Sequence, residues 1–504
     1  MSRRSAATVK RKQATSSSLA TKPEPKAPIS IIQACEDPQI FAPWFKDAQT
    51  WTPWFVVLKV MFGLKLTDDE FVIFRKHTGR TTPAPGGYFD LALVVGRRGG
   101  KSLILALIAA FLSCFFDWRP YLTAGERATI VVIAADRRQA ATIFKYLREM
   151  LAIPLLAGVI QRETNELLEL NNSVNVEIQT ASFRTIRGRT VVAALCDELA
   201  FWRTDEGAGN PDVEIINALR PSMATIPGAR LLKASSPYAR RGVLWNDYRK
   251  HFGVEDSATL VWQATTREMN SSVPQSFIDA AYEDDASNAA AEFGGLFRTD
   301  LEAFVTKEVV DACTVPGRFE LPMLKNALTP RPRYLAFVDP SGGSADSMTL
   351  CIAHDQKGTV VIDAIRERRP PFSPEGVVQE FAELLQAYGV RAVSGDRFGG
   401  EWPRERFRVF GVDYQVGVKP KSDLYRDLLP LLNSGGIELL DVPRLAAQLC
   451  GLERRVSRAG KDSIDHAPGG HDDLANSVAG AASLVCEARS TTRSRRVFVD
   501  FMGR

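Results

Sequence analysis

The sequence predicts an α/β protein with two domains. The chain has 504 residues, which is more than one compact domain usually holds. In the first half, buried apolar strands alternate with helical segments, a pattern typical of a mostly parallel sheet covered on both faces. Beyond residue 330, three successive strands with short turns precede alternating helices and strands. This second order is that of an RNase H-like domain.

Composition places the chain among ordinary globular proteins and argues against several kinds of site. Hydrophobic residues make up 45% and charged residues 24%, and the formal net charge is +4. With so small a net charge, any DNA-binding surface must arise from local clusters of basic residues. The 7 cysteines include no C-x-x-C pair and the 5 histidines lack metal-like spacing, which argues against disulfides and a zinc site.

The sequence shows neither a secretory signal nor a membrane-spanning segment. The longest apolar run, 103–116, is too short to span a bilayer and is predicted to be a buried helix. Residues 1–30 are rich in serine, lysine, arginine and proline and contain no apolar stretch of the kind found in signal peptides. We therefore expect a protein that is neither secreted nor inserted in a membrane.

Shifts in composition divide the chain into five segments. The first is expected to be disordered because it is basic and polar, and the third carries turn and linker residues. The segments are a basic arm at 1–30, a first α/β domain at 31–265, a linker or lid region at 266–330, a second α/β domain at 331–488 and a basic tail at 489–504.

The first domain is expected to begin with an aromatic cap and to continue as strand–helix units. The aromatic-rich stretch 41–63 is predicted to be a packed cap or helical lead-in. A helix is expected at 138–151 in addition to the buried helix at 103–116. The predicted strands are 91–95, 128–136, 173–181, 190–198 and 229–237.

The stretch "VVGRRGGKS" connects the first of these strands to the buried helix. It is close to the phosphate-binding pattern G-x-x-x-x-G-K-[ST], but Val95 stands at the first glycine position. A glycine-rich turn that opens a helix directs backbone N–H groups at an anion. In this pattern the lysine reaches the β- and γ-phosphates of ATP and the serine hydroxyl binds Mg²⁺. The predicted ATP contacts are Gly96, Gly99, Gly100, Lys101 and Ser102.

Two further strand ends carry polar residues that suit ATP hydrolysis. Asp197 and Glu198 end a buried strand, where the first can hold Mg²⁺ through water and the second can polarise the attacking water. A surface pair that caps a helix is the structural alternative. Ser235 and Ser236 end another strand, where they can sense the γ-phosphate. Together with the loop, these residues predict a P-loop ATPase domain of the ASCE type.

Carboxylates mark the ends of three elements in the second domain. Asp339 and Asp396 each end a predicted strand, and Asp472 and Asp473 open the last helix. In an RNase H-like fold these three positions converge, so that the carboxylates can share two Mg²⁺ or Mn²⁺ ions and cut a phosphodiester. Asp346, beyond a glycine turn, is expected to join them. Helix caps and turn residues are the structural alternative for each aspartate.

Basic runs lie near these carboxylates in the sequence. The runs 366–369, 404–408 and 453–461 suit contacts with a phosphate backbone, although each also suits a solvated surface. The overlapping stretch 454–466 is predicted to be a hairpin beside the carboxylates.

Taken in order, the motifs resemble those of the large subunit of tailed-bacteriophage terminases, and the resemblance covers roughly residues 40–485. The matching stretches are "GRRGGKS", "ALCDELAFW", "KASSP", "FVDPSGGSAD", "SGDRFGG" and "GGHDDLANSVAG". The resemblance implies ATP-driven movement of double-stranded DNA into a procapsid and metal-dependent cutting of concatemeric DNA. It further implies a pentamer on a portal protein, recruitment by a small terminase subunit, and action in the host cytoplasm.

The resemblance also assigns arginines. The family carries an arginine inside the phosphate loop, which by position is Arg97, and Arg98 can share its role. The family also lends an arginine to the neighbouring subunit's ATP site. Arg187 is the first choice for that role, and Arg184 and Arg189 are close rivals.

One departure from the family concerns adenine recognition. Where the family often has a glutamine ahead of the loop, this chain has Phe55, and the nearby Gln49 is out of register. The sequence therefore does not identify the residues that would bind the adenine base.

Two other functions remain open. RNase H-like carboxylate sets also serve transposases and junction resolvases, in which the first domain would be a regulatory ATPase. The chain is alternatively a DNA-binding assembly protein with a degenerate loop, which the presence of Lys101, Ser102 and Glu198 argues against.

Overall fold

The structure is a computed structural model. It describes residues 23–180, 188–202, 211–323, 332–344, 346–397, 402–456, 462–467 and 470–502. Within these ranges, every helix is too short or too polar to cross a lipid bilayer.

The strands form three sheets. The first sheet contains β1 (Asp90–Val95), β2 (Ala128–Ala134), β3 (Ile160–Glu163), β4 (Leu167–Leu170), β5 (Val174–Thr180), β6 (Thr190–Asp197), β7 (Arg230–Ser235) and β8 (Thr259–Ala264). The second contains β10 (Leu335–Asp339), β11 (Met348–Gln356), β12 (Thr359–Arg368), β13 (Ala392–Gly395), β14 (Asp413–Val416) and β15 (Ile437–Glu438). The third contains β9 (Leu301–Ala303), β16 (Leu452–Val456) and β17 (Asp462–His466).

The helices fall into two groups along the chain. The first group is α1 (Ile31–Glu36), α2 (Thr52–Met61), α3 (Asp68–Thr78), α4 (Lys101–Cys114), α5 (Arg137–Leu151), α6 (Pro211–Met223), α7 (Gly242–His251), α8 (Thr266–Met269), α9 (Gln275–Asp284) and α10 (Ala286–Glu292). The second group is α11 (Lys307–Cys313), α12 (Pro374–Ala387), α13 (Trp402–Val409), α14 (Lys421–Asn433), α15 (Pro443–Gly451) and α16 (Asp473–Met502).

The first sheet has the strand order β3-β4-β5-β2-β6-β7-β1-β8. Strands β5, β2, β6, β7, β1 and β8 are parallel, and β3 and β4 add an antiparallel edge. Because β7 lies between β1 and β6, one strand separates the loop-bearing strand from the strand that ends in Asp197. This is the order of an ASCE-type P-loop domain and confirms the predicted fold class.

Helix α4 follows the glycine loop and forms the centre of this domain. Its residues from Ile104 to Ser113 are all buried, as expected of a helix that is apolar all round. Helix α5, in contrast, is amphipathic and is capped by Asp136, whose side chain accepts from two backbone N–H groups of the first turn. These two helices pack against each other on one face of the sheet.

The second sheet has the order β14-β13-β10-β11-β12-β15. Strands β10, β11 and β12 form the predicted antiparallel meander, and β13 and β14 are parallel to β10 and to each other. The short strand β15 extends the sheet beyond β12. This order confirms the RNase H-like architecture, and it brings the carboxyl ends of β10 and β13 side by side.

The core of the second domain includes residues that precede residue 331. Phe304, Val305, Val310 and Cys313 are buried in one cluster with the side chains of α14, α15 and α16. We therefore place the start of the second domain near Leu301, ahead of the predicted boundary at 331. The part of the predicted linker from Phe304 through α11 belongs to this core, whereas β9 is joined to the second domain by its pairing with β16 and its Leu301 packs with Tyr238 and Ala239.

The two domains meet at an interdomain joint formed by Tyr238, Arg241 and Glu453. The carboxylate of Glu453 is 1% exposed, and it accepts from Tyr238 OH at 2.7 Å and from the Arg241 guanidinium at 2.5 Å. Strand β9 pairs with β16 beside these contacts, and the predicted hairpin is confirmed as β16 and β17. The segment that follows β7 is thus bonded to the second domain.

Candidate active sites

The phosphate loop is held by aromatic residues that precede it. Gly100 is the N-cap of α4 with a φ of 96°, a conformation that glycine adopts at little cost. A Cβ on Gly100 would lie 3.0 Å from Trp54 Nε1. That indole N–H donates to Gly99 O at 2.7 Å. The buried Trp54 therefore fixes the backbone of the loop at the two glycines that are predicted to approach a phosphate closely.

A second set of contacts ties the loop to α8 and α10. Thr266 Oγ1 donates to Arg97 O at 2.7 Å, and Asn270 Nδ2 donates to Arg98 O at 2.8 Å. A Cβ on Gly96 would lie 2.7 Å from Phe293 O, so this position has no room for a side chain. Gly96, which stands one position after the first glycine position of the motif, is thus required by packing.

Lys101 lies where the carboxyl ends of three parallel strands meet. It is 5% exposed, and its Nζ donates to Val95 O at 3.0 Å and to Ser236 Oγ at 3.2 Å. It also lies 3.4 Å from Glu198 Oε1. The predicted loop lysine, catalytic glutamate and sensor serine are therefore in direct contact, although they come from distant parts of the sequence.

Ser102 and Asp197 form a pair that suits Mg²⁺. Ser102 Oγ donates to Asp197 Oδ2 at 3.3 Å, while Asp197 Oδ1 is buried and has no hydrogen-bond partner among the described residues. Burial and the neighbouring Glu198 carboxylate raise the pKa of Asp197 to about 7. A buried carboxylate with a free oxygen beside a hydroxyl fits a hard divalent cation.

Glu198 is held in place by the end of β7. Its Oε2 accepts from Ser235 Oγ and from Ser236 N, both at 3.1 Å. Its backbone has a φ of 48°, which is a strained conformation for a residue with a side chain. Strain of this kind clusters at functional sites. This geometry replaces the alternative of a surface pair that caps a helix.

The predicted arginines differ in position. Arg97 has a side chain that is 67% exposed and pairs with Glu292 of α10 at 3.3 Å. Arg98 has a φ of 64° in the turn of the loop. Arg189 forms an ion pair with Glu177 of β5. Arg187 and its rival Arg184 lie outside the described residues, so the arginine lent to a neighbour stays a prediction.

Residues ahead of the loop bear on adenine recognition. Phe55 packs its ring edge-on against Phe45, with 5.5 Å between the ring centroids. Gln49 is exposed, and its backbone oxygen accepts a hydrogen bond from Thr52 Oγ1 at 3.0 Å. These contacts identify neither Phe55 nor Gln49 as a residue that binds the adenine base.

The second site brings Asp339 and Asp396 together at the ends of β10 and β13. Asn476 of α16 lies between them, because its Nδ2 donates to Asp339 Oδ2 at 2.9 Å and to Asp396 Oδ2 at 2.6 Å. Burial raises the pKa of Asp339 well above its usual range, and the charges of Asp396 and Asp473 add to the effect while the Asn476 hydrogen bond opposes it. Burial also raises the pKa of Asp396.

Asp472 is engaged by a cation and a phenol. Lys421 Nζ lies 2.9 Å from its Oδ1 and 2.7 Å from its Oδ2, and Tyr425 OH donates to Oδ2 at 2.7 Å. Lys421 also pairs with Asp465 of the β16–β17 hairpin at 3.2 Å. Burial opposes the charged amine, but Asp472 outweighs this and raises the pKa of Lys421.

Asp473 is the carboxylate with a free buried oxygen. Its Oδ2 has no hydrogen-bond partner among the described residues. Burial and the neighbouring Asp472 raise its pKa to about 6. Asp346 lies at the rim with a side chain that is 66% exposed, 3.7 Å from His471 Nδ1. Four of the five predicted carboxylates, Asp339, Asp396, Asp472 and Asp473, thus form one carboxylate site, with Asp346 at its rim.

The donor set of the carboxylate site suits divalent metal. Burial is the main cause of the raised pKa values of Asp339, Asp396 and Asp473, and repulsion between the crowded carboxylates adds to it, so a cation that neutralises them would be favoured. All the donors are hard oxygens, as Mg²⁺ and Mn²⁺ prefer. Asp465, His466 and Asp472 also offer ligand atoms within 4.8 Å of one another, but Lys421 already bridges two of these residues.

The basic runs are more strongly paired than the sequence predicts. Arg366 pairs with Glu320, Arg368 with Glu380 and Arg406 with Glu375. In the third run, Arg454 lies 3.7 Å from Glu302. Part of the basic character of these runs is therefore balanced by acidic neighbours within the chain.

Sequence reasoning missed four residues of the two sites. Asn476 and Lys421 contact the carboxylates directly, Tyr425 bonds Asp472, and Trp54 holds the loop. Only Asn476 offered a signal, since it lies one helical turn beyond Asp472 and so shares its face of the helix.

Comparisons with known proteins give structures but no sequence relatives. No protein-family model matches the sequence, and no curated protein matches it. The chain is similar to solved bacteriophage large terminases. The large terminase of bacteriophage HK97 has a TM-score of 0.36 and 17% identity, covering 85% of this chain and 99% of that chain.

Two further solved structures carry ligands in their descriptions. The large terminase of a thermophilic bacteriophage in complex with ADP has a TM-score of 0.36 and 12% identity, covering 84% of this chain and 97% of that chain. The large terminase nuclease of the thermophilic phage G20c with bound magnesium has a TM-score of 0.28 and 20% identity, covering 35% of this chain and 94% of that chain.

Proposed function

We propose that this chain is a large terminase subunit, an ATP-driven motor for double-stranded DNA joined to a metal-dependent DNA endonuclease. The observation that carries the proposal is that two sets of predicted site residues each converge within one chain. Lys101 and Ser102 meet Asp197 and Glu198 in the first domain, and four carboxylates converge in the second. A regulatory or assembly protein would need neither set to be complete.

In the motor, Lys101 would neutralise the β- and γ-phosphates, and Ser102 with Asp197 would hold Mg²⁺. The ion would neutralise charge on the transferring phosphoryl group. Glu198 would orient the attacking water. Ser235 ends β7 and Ser236 follows it, and both bond Glu198 two to three residues ahead of Tyr238. They would couple hydrolysis to movement.

In the nuclease, Asp339, Asp396 and Asp473 would hold Mg²⁺ or Mn²⁺, and the exposed Asp346 would join at the rim. The ions would activate water and stabilise the leaving oxygen of the phosphodiester. Asp472 would act through its pairing with Lys421, since both of its oxygens are already engaged. Lys421 places a positive charge beside the carboxylates, where a DNA phosphate would lie.

The motor assignment is tested by DNA-stimulated ATP hydrolysis. Glu198→Gln removes the residue that orients water and is expected to lower kcat by about 100-fold or more. Lys101→Ala is expected to abolish hydrolysis, and Lys145→Ala, an exposed lysine on α5, serves as the matched control. Hydrolysis that survives both site variants unchanged would overturn the motor.

The nuclease assignment is tested by nicking of supercoiled plasmid in Mn²⁺. Asp396→Ala is expected to abolish nicking, whereas Asp413→Ala, an exposed aspartate on the adjacent strand, is expected to retain it. Lys101→Ala should still nick. A variant Asp396→Ala that nicks like the wild type would overturn the nuclease, and strand joining in the same reaction would favour a transposase.

The partners follow from this proposal. We propose that the chain binds double-stranded DNA, a portal protein and a small terminase subunit, and acts as a pentamer on the procapsid in the host cytoplasm. The test is cryo-electron microscopy of the chain mixed with procapsids and DNA. A ring of five copies on the portal is expected, and ATP-dependent DNA protection without portal binding would contradict this arrangement.

A further inference from the structure

The carboxamide of Asn476 has an unusual place in the carboxylate site. It is 1% exposed, and its Nδ2 donates to one oxygen of Asp339 and one oxygen of Asp396. No other described side chain bonds to both carboxylates. Its Oδ1 is buried and has no hydrogen-bond partner among the described residues. A buried amide oxygen left without a partner is costly in a folded protein.

We propose that Asn476 is a metal-site residue with two roles. Its Nδ2 holds Asp339 and Asp396 together before a divalent cation binds, and its Oδ1 is an oxygen ligand for that cation. The inference rests on the proposed nuclease function and adds to it a ligand that is not a carboxylate. It also explains why an uncharged residue occupies the middle of a carboxylate cluster.

The chemistry of the carboxamide supports both roles. Two N–H donors favour the charged forms of nearby carboxylates, so the amide offsets part of their repulsion without adding a charge. A cation between Asp339 and Asp396 would repel these donors but would accept an amide oxygen as a hard ligand. Rotation of the terminal torsion exchanges the two atoms of the amide, and this torsion is soft. The helix itself need not move.

The position of Asn476 on α16 makes this exchange specific to the site. Its backbone N–H donates to Asp472 O at 2.7 Å, so the residue is fixed in the first turns of the helix. Gln448 caps the same helix by accepting from Leu474 N at 2.8 Å, and it is also a buried amide. Gln448 does not contact the carboxylates, and it therefore provides a matched control.

The experiment is a titration of the nucleotide-free full-length chain with Mn²⁺. Binding is measured by calorimetry and by the rise in Tm that the metal causes. Asn476→Ala removes both roles and is expected to weaken Mn²⁺ binding by about tenfold or more. Asn476→Asp keeps an oxygen ligand but loses the donor. It is expected to bind Mn²⁺ at least as tightly as the wild type, while its metal-free Tm falls because three carboxylates then face one another.

The controls separate this inference from the proposed function. Gln448→Ala is expected to lower the metal-free Tm and to leave Mn²⁺ affinity unchanged. Asp396→Ala is expected to lose the binding. If Asn476→Ala binds Mn²⁺ like the wild type, or if Asn476→Asp loses affinity as much as Asn476→Ala, the ligand role is overturned and the nuclease stands. If the wild type shows no Mn²⁺ binding that depends on Asp396, the metal site itself fails, and both proposals fail with it.

Discussion

Asp197, which we propose as a Mg²⁺ ligand of the motor, carries an energetic cost in the folded protein. Its pKa of about 7 lies above the value near 4 expected in the unfolded chain. The unfolded state therefore loses its proton first as pH rises, and the stability of the fold falls between about pH 4 and pH 7. Above this window the cost is fully present. A bound cation would remove it by pairing with the ionised carboxylate.

Asp197→Asn is expected to stabilise the metal-free and nucleotide-free protein. The amide cannot ionise, so the gain over the wild type should grow between pH 5 and pH 8 and reach at most about 4 kcal/mol. Thermal unfolding at several pH values measures this. Asp256→Asn, an exposed position, is the control. A gain that is equal at pH 5 and pH 8 would contradict the shifted pKa of Asp197.

Trp54 is expected to affect nucleotide binding through one hydrogen bond. Trp54→Phe leaves Gly99 O without its donor and should raise the KM for ATP about fivefold to tenfold, equivalent to about 1–1.4 kcal/mol. Trp118 is a matched control, because its indole N–H donates to Leu112 O at 2.9 Å near the other end of α4. Trp118→Phe should cost similar stability and leave the KM unchanged. Equal KM values in both variants would argue against a role for Trp54 in the loop.

The sequence predicts the residues whose place follows from the end of a strand. Asp197, Ser235 and Asp339 are of this kind, because polar residues that end a buried strand have one edge of the sheet on which to lie. Asn476, Lys421 and Tyr425 could not be assigned in this way. Their roles depend on which distant residues the tertiary fold places opposite them, and a single sequence does not contain that information.

At the scale of elements, long apolar strands and strongly periodic helices are the predictable part. The strands that became β1, β2, β6 and β7 are buried runs, and their pattern does not depend on their neighbours. The short strands β9 and β15, the six-residue strand β8 and the helices of the predicted linker were not predicted. Strands of a few residues carry too little alternation to be recognised, and they form because a partner strand is already present.

The extent of the second domain gives a prediction at this scale. A fragment of residues 300–490 should be soluble and unfold cooperatively, whereas 331–490 should be less stable and aggregate. The shorter fragment exposes the edge of β16 and loses apolar side chains worth about 1.5–3 kcal/mol each. Circular dichroism and sedimentation of both fragments test this. Val310→Asp in the longer fragment should reproduce the defect, and equal stability of the two fragments would contradict the placement of β9 and α11.

At the scale of the whole molecule, the interdomain joint couples the two domains. Phe201, three residues after Glu198, packs its ring against Tyr238 with 5.3 Å between the centroids. Tyr238 in turn bonds Glu453 of the β16–β17 hairpin. A continuous set of contacts thus runs from the end of β6 to the second domain, and the two domains should unfold together.

Glu453→Ala is expected to uncouple that unfolding. The variant loses two hydrogen bonds in a buried place, at a cost of about 1–3 kcal/mol, and calorimetry should resolve two transitions where the wild type has one. Glu302→Ala removes an exposed acidic partner in the same small sheet and should leave a single transition. Two transitions already present in the wild type would show that the joint does not couple the domains.

Strand β9 has a consequence for the order in which the chain folds during synthesis. Its residue Glu302 pairs with Arg454, so the ribosome must make about 150 further residues before the partner strand exists. Closing so long a loop is slow, because the conformational entropy of the loop is lost before the stabilising contacts between the strands form. The first domain can therefore complete its own sheet while β9 waits with an open edge. Attachment of β9 to the β16–β17 hairpin is then a late step, and the nascent chain is exposed to aggregation until that step occurs.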